Sequence, residues 1–475
     1  MNAFSDIAVA VANNLFSQVA ILIGLIALVG LILQRKPIEA VVGGATRATL
    51  GVVILNIGVE IFTGGLVAFQ AIVASAFGLV PPTSTNTMNS FLEGKGTVVP
   101  LVIALGFLFH MLLVAAFKSA RYVYLTGHLM YWMSLVLTAT LVEAIPTANK
   151  LTLTLVSAII IACYWTLQPL WMEPLMRKTI GGDNFGLAHT TSTLALLAGY
   201  GARVLHLGDP ERHHTEKLKM PKALSFFKDI NVSTVFVIGI IMIVAILFAD
   251  DAVVIEQMAD ATVAPVMWGF LQALRFAGGI AILLHGVRMF LAEIVPAFRG
   301  ISQKLLPGSR PALDIPTVFP KAPTAVMVGF LTSTLIFLVC MGVFAAAGWF
   351  TLVPPMIMLF FGGGAGGVFG NAAAGWRGAV FGGLLNGLVL AFGQWIGWGL
   401  YSTTAPELAT LADPDWYAVG WALLGLAKLV SGLGPNGLWA IAGTIAILTV
   451  VILATINRRS DTPRETDHTE KEVTA

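Results

Sequence analysis

The sequence predicts an all-α polytopic membrane protein of about eleven transmembrane helices, with inverted repeats, re-entrant hairpins and amphipathic interfacial helices. Three observations carry that prediction. Of 475 residues, 57% are hydrophobic and only 11% are charged, where soluble domains have about 25% charged. The apolar residues gather in runs of about 20, the length that spans a bilayer. The 49 glycines fit helices in close contact, where small residues let backbones approach. A net charge of +2 gives no reason to expect a nucleic-acid partner. Cys163 and Cys340 both lie in apolar runs and read as small buried apolar residues, neither a redox pair nor a metal site. The first apolar run has no basic leader, so it reads as a span and not as a cleaved signal.

In order, the first span is 15–33, closed by Gln34, Arg35 and Lys36. The second is 40–62, followed by an amphipathic stretch to residue 78 and a polar segment over 81–96. The third, 97–117, is closed by Lys118 and Arg121. The fourth begins at Leu125-Thr126-Gly127-His128 and ends near residue 145. The fifth is 151–171, before Arg177-Lys178. Residues 181–200 are too short and glycine-rich for an ordinary span and read as a re-entrant hairpin. The longest loop is 203–229, rich in Arg, Lys and His, with His206, His213 and His214 expected in solvent. Further spans are 232–249, 266–285, 324–347, a glycine-rich one from about 350, 379–400 and 438–456. The segments 250–260 and 407–415 read as acidic loops.

On this reading residues 1–457 form one membrane-embedded unit. Repeat one covers about 15–200, a cytoplasmic loop 203–229 follows, and repeat two covers about 266–457. Residues 458–475 form a polar cytoplasmic tail. Lys and Arg mark cytoplasmic loops, which sets the N-terminus outside and the C-terminus in the cytoplasm of a bacterial inner membrane.

The chain is organised around 286–330. This stretch holds Arg288, Glu293, Arg299, Lys304, Arg310, Asp314 and Lys321, with Pro307, Pro311, Pro316, Pro320 and Pro323. Irregular backbone at membrane depth is tolerated where protein or a water-filled cavity satisfies it. Broken segments that carry a carboxylate are where transporters place substrate. The pattern Gly286-Val287-Arg288-Met289-Phe290 also echoes Gly58-Val59-Glu60-Ile61-Phe62. Each copy ends a span and opens an amphipathic stretch, 64–78 or 291–306. The span count puts the copies on opposite faces, as in an inverted repeat built for alternating access. Glu60 and Arg288 hold equivalent places in it and read as structural.

Asp314 is the leading substrate-binding candidate, since a buried carboxylate accepts hydroxyl hydrogen bonds. Its competing reading is a helix cap or a partner for Arg310 or Lys321. His128 and His189 follow. Both lie in glycine-broken stretches, and an imidazole can both donate and accept. His110, in mid-span, reads as a packing residue. Asn86 and Thr87 either add hydrogen bonds or simply form a turn. Trp132, one helical turn beyond His128, either stacks on a sugar face or packs. Neither a phosphate loop nor paired catalytic carboxylates nor Cys/His metal spacing occurs, so no enzyme, cofactor or metal is expected.

The chain resembles the ascorbate-type IIC components of the bacterial phosphotransferase system. The resemblance is carried by Leu125-Thr126-Gly127-His128, Gly286 to Phe290 with Ala292-Glu293, Phe298 and Gly300-Ile301-Ser302-Gln303. Leu305 to Gly308 with Asp314, and Gly375-Trp376-Arg377, extend it. It implies an eleven-span homodimer in which a substrate-binding core moves against a dimerising domain. It also implies phosphorylation by a separate IIB protein fed by IIA. The family's substrate contacts fall here on His128, His189 and Asp314. Departures surround them: Asn86-Thr87 for Thr-Tyr, Trp132 for Gln, and Thr190-Thr191 for Gln-Gln. Thr190 is accordingly a candidate contact. Ascorbate or a related sugar acid or polyol is the implied substrate. An ion-coupled carrier of the same fold is the alternative, with Asp314, Glu60 or Glu293 to couple. A membrane enzyme or receptor would need a constellation the sequence lacks.

Overall fold

The structure, a computed structural model, describes residues 19–80, 82–95, 98–182, 184–218, 230–258 and 262–461. The expected tail from residue 462, the start of the first span and residues 219–229 of the expected loop lie outside them. Helices dominate, and among the described residues eight are long and apolar enough to cross a membrane. Two shorter apolar stretches, Ala20–Leu33 and Thr234–Phe248, accompany them. The protein is thus a multi-pass membrane protein.

The helices form two groups. The first joins α1 (Val19–Leu33), α2 (Ile38–Ala76), α8 (Ile230–Phe248), α9 (Asp251–Met258) and α10 (Pro265–Lys304). The second joins α4 (Val98–Ala116), α5 (Gly127–Ala144), α6 (Lys150–Ile180), α7 (Ser192–Val204), α11 (Pro323–Ala347), α12 (Met356–Ala374), α13 (Trp376–Leu400), α14 (Pro414–Leu429) and α15 (Pro435–Asp461). A short α3 (Met88–Lys95) sits against residues 406–409. The groups meet where α10 packs against residues 310–317, where α12 touches α2 and where α11 touches α8.

Several expected breaks are absent. The second span and its amphipathic extension form the single 39-residue α2. The span at 266–285 and the stretch 291–306 form the single 40-residue α10. Pro296 lies inside α10 without ending it. There Gln34 reaches across from the end of α1 and donates to the carbonyls of Pro296 and Ala297 at 3.1 Å. The two long helices cross through glycines. A Cβ on Gly58 would lie 2.3 Å from the Leu283 nitrogen, and one on Gly286 would lie 2.3 Å from the Leu55 nitrogen. Any larger residue would push the backbones apart. The fifth expected span is likewise longer, running to Ile180 past Pro169 and Pro174.

The all-helix expectation omits one feature. Three short strands, β1 (Tyr122–Tyr124), β2 (Gly186–Leu187) and β3 (Arg310–Leu313), form a parallel sheet in the order β1-β3-β2. Tyr-Val-Tyr favours a strand, and pairing satisfies backbone that has no helix to do so. Each strand is buried, apart from a half-buried Arg310 at its start.

Two loop expectations also change. Asp413 and Asp415 are not part of a solvated acidic loop. They are 3% and 0% exposed and lie at the start of α14, a half-length helix not foreseen in the sequence. His213 and His214 are not free in solvent either. The His213 carbonyl accepts the Trp376 N–H, and the His214 ring meets the Asn371 amide at 3.0 Å. They fasten the loop to the α12–α13 turn, whose backbone groups need partners. Nearby, Asp209 accepts the N–H groups of Glu211 and Arg212, which hold its carboxyl below the usual range.

Candidate functional site

The sheet builds the site. Its strands are parallel, so their C-terminal ends share one edge, and Thr126-Gly127-His128, Ala188-His189 and Asp314 leave from that edge. The register continues past the strands: Leu125 N–H donates to the Ala312 carbonyl at 3.0 Å, and Ala188 N–H to Leu313 at 2.8 Å. The Thr126 hydroxyl ties the first turn to the second through the Ala188 carbonyl at 2.8 Å. The edge is anchored beneath by His110. Its Nε2 accepts the Tyr124 N–H, so its Nδ1 carries the proton and faces the Thr166 hydroxyl at 2.8 Å.

Asp314 lies between the two imidazoles. His128 Nε2 is 3.5 Å from Asp314 Oδ2, and His189 Nε2 is 3.5 Å from Oδ1. Asp314 Oδ1 also accepts the Ile315 N–H at 2.7 Å, capping the turn that follows. His189 Nδ1 accepts from the Thr191 N–H at 3.1 Å, which leaves the proton of a neutral ring on Nε2, toward the carboxylate. His189 is buried, whereas the His128 side chain is 52% exposed.

These residues line a cavity of about 440 Å³ between the two helix groups. Ala20, Leu55, Asn56 and Val59 form its wall on the first group. His128, Trp132, His189, Asp314, Phe361, Asp413 and Trp416 are among those facing it from the second. The rings of Trp132 and Trp416 lie 5.7 Å apart at 30°. Such faces suit the C–H side of a polyol, while the carboxylates and imidazoles suit its hydroxyls.

Of the expected residues, the fold brings together His128, Trp132, His189 and Asp314. Thr190 lies just behind the lining, where its hydroxyl donates to Asp413 Oδ2 at 2.6 Å. Asn86 and Thr87 lie apart from the lining. Asn86 donates to the Ser402 carbonyl at 2.9 Å, and the Thr87 hydroxyl accepts the Ser90 N–H at 3.1 Å, an N-cap for α3.

Asp413 and Asp415 were missed. Asp415 accepts from Tyr164, from Ser192 and from both the N–H and the hydroxyl of Thr193, all at 2.6–2.7 Å. Its own N–H donates to the Thr190 carbonyl at 2.8 Å. The starts of α7 and α14 are thus locked together beside the cavity. The signal was present: Asp413-Pro414 matches an N-cap followed by proline at the first helical position.

Fold and site define a multi-pass membrane carrier with an internal polar cavity. The chain belongs to the EIIC-GAT family, the phosphotransferase-system sugar-specific permease component, whose profile matches residues 14–415. It is also similar to an ascorbate-specific phosphotransferase-system EIIC component of Mycoplasma pneumoniae (strain ATCC 29342 / M129 / Subtype 1). The two are 26% identical over 432 residues, 79% of this chain. The match spans 64% of that relative's length.

Proposed function

We propose that the chain binds L-ascorbate or a related sugar acid or polyol and carries it across the inner membrane for phosphorylation by a IIB partner, itself fed by IIA. The observation that carries this reading is the placement of Asp314 between His128 and His189 in a cavity between two helix groups. A carboxylate and two imidazoles recognise hydroxyls. A cavity between two helix groups suits a core that moves past its partner, as alternating access requires. Membership of the permease family supports the coupling to IIB, and the related ascorbate protein supports the substrate class.

The chain order supports the repeat as well. Residues 19–76 join the first group and 98–204 the second, then 230–304 the first and 310–461 the second. That interleaving fits repeats at about 15–200 and 266–457. The clusters at Arg35-Lys36, Lys118 to Arg121, Arg177-Lys178 and Arg377 support a cytoplasmic C-terminus. The homodimer is carried over from the family resemblance.

The test is uptake by inside-facing vesicles loaded with phosphoenolpyruvate, the general phosphocarrier, IIA and IIB. The expected result is accumulation of phosphorylated ligand that stops when IIB is left out. Uptake that ignores IIB and follows a sodium or proton gradient would assign an ion-coupled carrier instead. Glu293 is a poor coupling group for such a carrier, since it is paired with Arg47.

A further inference from the structure

Residues 205–218 carry the chain away from α7, in the second helix group, toward α8, in the first. Their contacts hold them against the second group. Glu216 accepts both the N–H and the hydroxyl of Thr324 at the start of α11, each at 2.9 Å. Thr215 N–H donates to Asn371 Oδ1 at 3.0 Å, near the end of α12. That bond fixes the Asn371 amide, since the flipped amide would set two donors against each other. Asn371 Nδ2 therefore donates to His214 Nε2 at 3.0 Å. The Glu216 N–H faces the other ring nitrogen, Nδ1, at 3.4 Å.

Both nitrogens of His214 thus face donors. A neutral imidazole has one acceptor nitrogen, and the shorter contact, from Asn371, takes it; an imidazolium has none. Protonation sets N–H against N–H on both sides of the ring. It also removes the acceptor from the amide of Asn371, a residue 1% exposed, and a buried donor left unpaired is costly. The charged groups around the ring are already engaged. Glu216 is on Thr324, Asp209 accepts the Glu211 and Arg212 N–H groups, and Glu211 pairs with Lys217. Arg212 pairs with Asp209, and Arg377, from α13, donates to the Leu207 carbonyl at 3.3 Å. His213 differs: its Nδ1 accepts the Asp209 N–H at 3.1 Å, and a charge on it is balanced by the Asp209 carboxylate.

We propose that His214 is an acid-released clasp on the crossover between the two helix groups. Neutral, it joins the crossover to α12; protonated, it is repelled by the amide that held it. The sign follows from the ring's role as acceptor. The clasp is closed at high pH and opens as pH falls between about 8 and 5, where histidine changes charge. The segment that links the two groups is then tied most firmly to the second group in neutral or alkaline medium and loosens in acid. This inference goes beyond the permease reading and does not depend on the substrate.

The experiment places a nitroxide on Glu211→Cys, a position whose side chain is 87% exposed, in the purified full-length protein freed of Cys163 and Cys340. Spin-label mobility is read between pH 8 and pH 5. With His214 present, the ratio of mobile to immobile label is expected to rise about tenfold in acid, the effect of one lost buried hydrogen bond. His214→Gln keeps an acceptor for Asn371 and does not titrate, so its ratio is expected to stay low throughout. Asn371→Asp accepts both Thr215 N–H and a charged ring, so its ratio is expected to fall in acid. A ratio that ignores pH with His214 present, or that rises equally in His214→Gln, overturns the inference. So does an undiminished acid rise in Asn371→Asp, which decides the matter by sign even if His214→Gln fails to fold.

Discussion

Asp314 receives one firm hydrogen bond, from Ile315 N–H, and otherwise faces imidazoles at 3.5 Å. Those contacts are at ion-pair distance and longer than a good hydrogen bond, so a ligand hydroxyl can enter between them. Asp314→Asn should lower uptake about tenfold or more while the protein still elutes as a folded species; unchanged uptake would remove Asp314 from the site. His110 behaves in the opposite way. Both of its ring nitrogens are engaged by Tyr124 and Thr166, and it lies away from the cavity. His110→Ala should cost about 1–3 kcal/mol of stability, seen as a lower midpoint in thermal unfolding, with little change in ligand affinity at permissive temperature. The histidines were legible in the sequence because glycine-broken context separates His128 and His189 from a histidine in mid-helix. Asp413 was not, because an acidic residue between spans reads as solvated until the fold shows α14 turning inward.

The elements that the sequence under-read are the ones whose length or pairing depends on distant partners. Polar residues and Pro296 suggest a break in α10, but Gln34 from another helix serves the carbonyls there, and the helix continues. Strands of two to four residues carry too little periodicity to read, since their pairing joins segments far apart in the chain. Long apolar helices were legible because the bilayer fixes their length and composition. Two element-scale outcomes follow from the packing. Gly58→Leu should drive α2 and α10 apart and cost about 3 kcal/mol or more, beyond ordinary overpacking, because the clash is with the partner's backbone; a thermal midpoint like wild type would refute the tight crossing. Asp415→Ala would leave the Tyr164 and Ser192 hydroxyls and both Thr193 donors without their buried acceptor. It should therefore lower stability by about 3 kcal/mol or more, whereas Asp413→Asn, which loses one donor's partner at most, should change the thermal midpoint far less.

At the scale of the molecule, the cavity lies at the seam between two bodies, which also pack against each other where Phe276 meets Phe330 and Phe360. One wall, with Val59, belongs to α1 and α2. The other, with Ile357, Leu411, His128, His189 and Asp314, belongs to the sheet and the helices locked around it. The second body is tied internally by the sheet, by Thr126 to Ala188 and by the Asp415 network, so His128, His189 and Asp314 must move as a unit if they move at all. Under the proposed sliding of one body past the other, the distance between Val59 and Leu411 changes while that between Ile357 and Leu411 is kept. In a protein freed of Cys163 and Cys340, a flexible bifunctional thiol reagent applied to Val59→Cys with Leu411→Cys should stop uptake. The same reagent applied to Ile357→Cys with Leu411→Cys should leave much of it, since both ends travel on one body. Each single-cysteine variant treated alike reports any block by the reagent itself. Equal inhibition of both pairs, or of neither, would mean that the seam does not slide and that substrate leaves the cavity by another route.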